Sequence, residues 1–342
     1  MPLAEILLLA MWICLTAYAL FGGADFGGGF WDLLAGRAEE GRPQRSLIEH
    51  SIGPIWEANH VWLIFVIILT WTGIPSVFAA VSSTLYIPLT LAALGIIARG
   101  SAFAFRKVST ELWQQRLFGA AFALSSILTP FFLGTVAGAL ASGRVPPGIA
   151  GGDPITSWIN PTSMASGVLA VGATAYLAAA YLTQDARRHG DPGLTAAFRK
   201  RALWAGAGMG VFAAAELLVL SVDAPQLFHE LVAGTALPFL IISAGCGMAS
   251  LILLIGRKFL AVRLTAALAV TALLWGWGVA QYPDVLPGLT LSEAAATQSV
   301  LAANLVVVII AGILVIPSLW WLYALFQRDQ TQTRNRLSEG NP

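Results

Sequence analysis

Long apolar runs broken by short clusters of arginine set the rhythm of this chain. A helix that crosses a bilayer needs about 20 consecutive, mostly apolar residues. Nine stretches fit that length, with soft ends: Leu3–Gly23, Ser51–Trp71, Val77–Ala98, Leu117–Ala141, Pro161–Thr183, Ala202–Ser221, Val232–Ile255, Leu264–Gln281 and Ser299–Phe326. The first has a Gly-rich, still apolar continuation to Leu34, and a basic amphipathic stretch, Arg99–Arg116, separates the third from the fourth. The pattern predicts an all-α fold: one polytopic transmembrane helical bundle of about nine helices spanning residues 1–342 as a single membrane domain.

Charge turns this pattern into a topology. Cytoplasmic loops carry an excess of Lys and Arg. Every basic residue except Arg144 falls in alternate connections: Arg37–Arg45, Arg99–Arg116, Arg187–Arg201, Arg257–Arg263 and the tail with Arg328, Arg334 and Arg336. Nine spans put all of these on one side, with the N-terminus outside and the C-terminus in the cytoplasm. One helix more or fewer would scramble the alternation. Only 11% of the residues are charged, against roughly 25% in soluble proteins, too few to cover a soluble surface of this size. The net charge of +1 gives no reason to expect nucleic acid as a partner. The first run begins without a basic n-region, so it is expected to be a retained helix and not a cleaved leader.

Ionisable groups within a bilayer are expensive and mark functional sites by default. Asp25 closes the first run in Phe21-Gly-Gly-Ala-Asp25-Phe-Gly-Gly-Gly29. Glu57 and His60 open the second in Trp56-Glu57-Ala-Asn59-His60-Val-Trp62, and Glu216 lies in the sixth. Helix 1 runs inward and helix 2 outward, so Asp25 and Glu57 are expected at similar depth near the cytoplasmic face. Glu57 and His60 are three apart and share a helix face, as do Trp56 and Asn59. Chains of Asp, Glu and His are the material of proton relays. The bland reading of each acid is an interfacial carboxylate, a cap or an arginine partner. The pairs Gly23/Gly27, Gly134/Gly138 and Gly206/Gly210 predict close helix contacts.

What is missing narrows the chemistry. Cys14 and Cys246 each sit in an apolar run, and no CxxC or Cys/His cluster suggests a metal site. Of four histidines only His60 is expected inside the membrane, so this chain alone offers no pair of haem ligands.

The Phe21–Gly29 segment, followed by Ser51-Ile-Gly-Pro-Ile-Trp-Glu-Ala-Asn-His-Val-Trp-Leu-Ile-Phe65, resembles subunit II of the cytochrome bd-type quinol oxidases. Arg99–Arg106, Asn160-Pro161 and the basic loop before helix 6 fit the same pattern, and the Trp-Glu-Ala-Asn-His-Val-Trp form is similar to the cyanide-insensitive branch. The resemblance covers essentially the whole chain. It implies a heterodimer in the bacterial inner membrane that oxidises quinol and reduces O₂ to water. It implies that haem b and haem d, or a b-type replacement, belong to the partner subunit I, and it leaves room for a bound quinone and a small accessory subunit. It implies that this subunit stabilises the haem-bearing partner, and that Glu57 and Asp25 belong to a proton path from the cytoplasm, with His60 as a further carrier and Trp56, Asn59 and Arg99 in support. Two positions depart from the pattern: Gly22 and Ala104 stand where some members carry acids. His60 could compensate.

Two other classes remain open from the residues alone. The intramembrane acids would suit a proton-coupled secondary transporter, although the paired broken helices of such folds are not visible. A purely structural assembly subunit is the other.

Overall fold

The computed structural model describes residues 2–37, 39–52, 56–109 and 111–338. It is a bundle of helices: α1 (Leu3–Ala17), a π-helical turn (Tyr18–Gly22), α2 (Gly23–Leu33), α3 (Arg42–Ile52), α4 (Trp56–Gly73), α5 (Pro75–Thr84), α6 (Tyr86–Val108), α7 (Leu112–Ala141), α8 (Pro161–Arg188), α9 (Pro192–Asp223), α10 (Pro225–Val232), α11 (Leu237–Ile255) and α12 (Phe259–Gln281). A two-strand hairpin, β1 (Asp284–Leu286) with β2 (Leu289–Thr290), and the one-turn α13 (Leu291–Ala294) precede the final α14 (Gln298–Ser338). Among the described residues, eight helices are long and apolar enough to cross a membrane, or nine if α3 and α4 count as one broken span.

Two predicted elements change, and one soft end is settled. The first run takes its Gly-rich continuation: α1, the π turn and α2 form one rod of 31 residues from Leu3 to Leu33. Glycine is a poor helix former in isolation, but packing overrides propensity here. A Cβ at Gly27 would lie 1.9 Å from the Thr174 carbonyl oxygen, so only glycine lets α2 lie against α8. The third run, Val77–Ala98, is not one helix. The chain turns at Leu85 between α5 and α6, because Pro88 has no N–H to offer the Thr84 carbonyl and the ladder restarts there. Finally, Arg99–Arg116 is not a separate amphipathic stretch: α6 runs on to Val108 and α7 starts at Leu112. Of the predicted second run, Gly53, Pro54 and Ile55 lie outside the described residues.

Other starts follow local signals. Asn160 and Asp191 each accept a backbone N–H three residues on, and each is followed by a proline in the first turn, an arrangement that satisfies orphan donors and fixes the entering φ. Thr290 and Glu293 form a capping box at α13. Of the three glycine pairs, Gly134 and Gly138 both meet the α8 backbone, whereas a Cβ at Gly210 would meet nothing within 4 Å.

Burial separates centre from periphery. The apolar window of α8 is 61% buried, against 6% for α9 and α14. Thus α8 is the axis of the bundle, and its small residues (Ala178, Ala179, Ala180) admit α2, α9 and α12 at close range. A second apolar core joins α1, α4, α5 and α14 at the opposite end from the arginine clusters, around Leu7, Leu69, Leu85 and Leu301. The outer faces of α9, α11 and α14 are lined with exposed Val, Ile, Leu and Trp, as befits surfaces in contact with lipid or another membrane protein.

Candidate functional site

Asp25 sits just after the π turn, 4% exposed. Its Oδ2 accepts a hydrogen bond from Asn59 Nδ2 at 2.6 Å, which joins α2 to α4. Arg99, only 1% exposed, reaches the same point from α6. One guanidinium nitrogen donates to the Asp25 main-chain oxygen at 2.9 Å, and Nε donates to Ser126 Oγ of α7 at 3.1 Å. The guanidinium lies over two rings, 4.9 Å from Phe26 and 5.0 Å from Phe122, contacts that favour a desolvated cation. An isolated charge at such depth is prohibitively costly. The acid and the arginine therefore justify each other's burial. Arg99 lies past the predicted end of the third run, among the loop charges, but in the structure it is a core residue, because α6 continues past it for two further turns.

His60 faces the same interior. Its ring stands 5.9 Å from Tyr18, 6.2 Å from Phe26 and 6.2 Å from Trp56. Trp56 in turn contacts Phe103 at 5.6 Å and covers Gly100. Glu57 does not join this group: it is exposed, on the side of α4 away from Asn59. Adjacent turns place Ile64, Ile68 and Trp71 on the same outward stripe. The expected face shared by Glu57 and His60 is therefore the boundary of the buried sector, with His60 inside it and Glu57 outside.

Seven residues beyond each member, about 10 Å along the axes, the pairing of acid and arginine recurs. Asp32 of α2 bonds Arg106 of α6 at 2.9 Å and Arg45 of α3 at 3.3 Å. With Ile48, Glu49, Phe103 and Phe122 these three line a narrow cleft at the arginine-rich end. Phe122 belongs to both levels: one part of its surface lines the cleft and its ring carries the Arg99 guanidinium. Sequence reasoning missed Asp32, Arg106 and Ser126. The repeat Asp25/Asp32 against Arg99/Arg106 was readable once the first helix is extended to Leu33.

Glu216 stands apart, between α9 and α8. Its Oε1 takes a short hydrogen bond from Ser166, while Oε2 is buried with no partner among the described residues. At the end of the bundle opposite the arginine-rich cleft, Asp223 holds Arg144 through two bonds, 2.9 and 2.6 Å, and accepts from Thr162. Hydrogen bonding to Asp223 is the largest cause that raises the Arg144 guanidinium further above its ordinary value.

No group of three or more His, Cys, Asp or Glu that could hold a metal occurs among the described residues. His60 is half-buried against three aromatic rings, and no second histidine stands beside it among the described residues to complete a paired haem site. What the cluster offers is a buried acid, an amide, an arginine and a histidine in one polar interior below a charged cleft: groups that can hold and pass protons.

The chain is similar to known proteins over nearly its whole length. The model of the family described as cytochrome bd terminal oxidase subunit II matches residues 3–326. Cytochrome bd ubiquinol oxidase subunit 2 of Bacillus subtilis (strain 168) is 30% identical over 131 residues, covering 37% of this chain and 38% of that protein. Cytochrome bd-I ubiquinol oxidase subunit 2 of Escherichia coli (strain K12) is 27% identical over 131 residues, covering 38% of this chain and 34% of its own length. The chain thus matches well under half the length of these curated relatives. In fold, it resembles a chain from the structure of bd oxidase from Geobacillus thermodenitrificans, with a TM-score of 0.73 at 22% identity, over 95% of this chain and 99% of that one.

Proposed function

The chain belongs to the cytochrome bd terminal oxidase subunit II family, and we propose that it acts as the haem-free subunit of a complex that oxidises quinol and reduces O₂ to water. In this reading a partner subunit I carries haem b and haem d, or the b-type replacement, and performs the electron transfer. The complex lies in the bacterial inner membrane with the arginine-rich end of this chain in the cytoplasm. This chain stabilises its partner and delivers protons, which O₂ reduction consumes.

The observation that carries the reading is the Asp25 carboxylate, buried beside Arg99 and bonded by Asn59 below the Asp32–Arg45–Arg106 cleft. Protons enter at the cleft, pass Phe103 and Phe122 on water, and load Asp25. Arg99 keeps a fixed positive charge at the cluster, so the carboxylate and its protonated form can alternate without leaving a bare negative charge in the bilayer. Glu57 is the group that faces outward. A carboxylate among Ile64, Ile68 and Trp71 is costly against lipid, so that stripe is covered by subunit I and Glu57 hands the proton across the subunit boundary.

The test is quinol-driven O₂ uptake by the purified complex, with its visible spectrum as the control for haem content. Asp25→Asn and Glu57→Gln are each expected to slow turnover by about tenfold or more, towards the ~10²–10⁴-fold that a positioned proton-transfer group contributes, at unchanged haem content. Normal turnover in both would reduce the chain to a scaffold. Solute-driven proton flux in a haem-free preparation would favour a transporter.

A further inference from the structure

Two polar atoms beside the Asp25 cluster have no hydrogen-bond partner among the described residues. Tyr18 is 5% exposed, and its hydroxyl and His60 Nδ1 are both buried and unbonded. Buried polar atoms are almost always satisfied, by protein or by an ordered water. These two belong to neighbouring rings, 5.9 Å apart and inclined at 46°. Phe26 borders both, at 6.4 Å from Tyr18 and 6.2 Å from His60. Phe26 also carries the Arg99 guanidinium, 4.9 Å from its ring centre, and directly follows Asp25 in the chain. All four groups therefore share one interior.

The local backbone is built around Tyr18. It opens the π-helical turn Tyr18–Gly22, a feature that recurs at functional sites. Its ring lies against Gly22, where a Cβ would sit 2.9 Å from Tyr18 Cε2. Any side chain at position 22 would displace that ring, so the glycine and the tyrosine are one device.

We propose that Tyr18 and His60 bind a water between Tyr18 Oη and His60 Nδ1 and form a proton-transfer pair that unloads Asp25. The inference rests on the proton-uptake reading above. Its net step moves a proton from the Asp25 carboxyl to His60 Nδ1. The Asp25 O–H bond breaks and a His60 N–H bond forms. Tyr18 and the water each accept a proton, give one up, and end as they began. The interior keeps its net charge throughout, because the carboxylate and imidazolium form together beside Arg99.

Tyr18→Phe is the decisive variant, since it keeps the ring over Gly22 and removes only the hydroxyl. In the purified complex with subunit I, O₂ uptake at saturating quinol is expected to fall roughly fivefold and the solvent deuterium isotope effect to rise, with the haem spectrum unchanged. His60→Gln should behave alike, and the double variant should be no slower than the slower single one, because both act in one link. If Tyr18→Phe loses its haem spectrum, His60→Gln decides by the same readouts. Wild-type turnover and isotope effect in the decisive variant, with Asp25→Asn slowed, would overturn the Tyr18–His60 pair and leave the uptake reading intact. Wild-type turnover in Asp25→Asn would remove the uptake reading itself.

Discussion

The two acid–arginine levels on α2 and α6 use the same residue types at the same spacing, yet they bond differently. At the rim, Asp32 makes direct ion pairs with Arg106 and Arg45, whose side chains are 29% and 23% exposed. In the interior, Arg99 takes the Asp25 main-chain oxygen, Ser126 and two aromatic faces, and Asn59 bonds the carboxylate. The rim pairing fixes α3 and α6 to α2. The interior arrangement supplies a compensating charge without clamping the acid, which is what the proposed proton exchange at Asp25 requires. A carboxylate locked between two guanidinium forks would be a poor carrier.

The sharpest way to break this contrast is to remove the buried arginine. Arg99→Ala leaves Asp25 buried without a compensating charge, and breaking a buried pair in this way costs ~3–5 kcal/mol. Thermal unfolding of the complex should show a large drop, and haem retention should fall with it. A variant that melts like the wild type would mean that Asp25 carries no charge needing compensation.

Asp25→Asn probes the same level from the other side. Asparagine preserves the shape and can still bond Asn59, and Arg99 keeps its main-chain acceptor. The expected result is a split: turnover lower by about tenfold, with a smaller change in unfolding temperature than Arg99→Ala produces. Equal loss in both measurements would make the interior level structural, like the rim.

How much of this was legible in the sequence depends on what lipid does to the pattern. Asp25, Asn59 and His60 stand out because polar groups are rare in apolar runs, whereas Arg99, one residue past the predicted third run, reads as a loop charge. Their depth followed from arginine-rich loops on alternate connections. The phase of α4 was not readable. A membrane helix is apolar on nearly every side, so periodicity does not say which face turns inward, and Glu57 was placed with His60 when Asn59 is the residue that turns in. The break at Leu85 was legible in principle from Pro88. Tyr18 gave no signal, since its role comes from a π turn and from Gly22 beneath its ring.

At the rim the expected effects are modest. Arg106→Ala removes the 2.9 Å bond but leaves Asp32 with Arg45, and partly exposed pairs contribute about 0–1 kcal/mol. A double-mutant cycle between Asp32 and Arg106 should return a coupling in that range, shrinking as salt is raised. A coupling as large as the interior penalty would erase the distinction between the two levels.

Glu216 supplies the smallest effect and the control for the whole comparison. It too is an acid inside the bundle, but among the described residues no arginine bonds it, its one hydrogen bond comes from Ser166 on the neighbouring helix, and it sits towards the end opposite the arginine-rich cleft. If depth in the membrane were enough to make an acid a proton carrier, Glu216 would matter as much as Asp25. If the carrier needs a fixed cation, an amide donor and a charged cleft together, Glu216 is only a joint between α8 and α9. Glu216→Gln retains a partner for Ser166 and should leave O₂ uptake and its solvent isotope effect unchanged, with unfolding shifted by about 1 kcal/mol or less. A turnover loss comparable to that of Asp25→Asn would show that burial, and not the arginine-backed geometry of the α2–α6 interior, selects the proton-carrying acids of this chain.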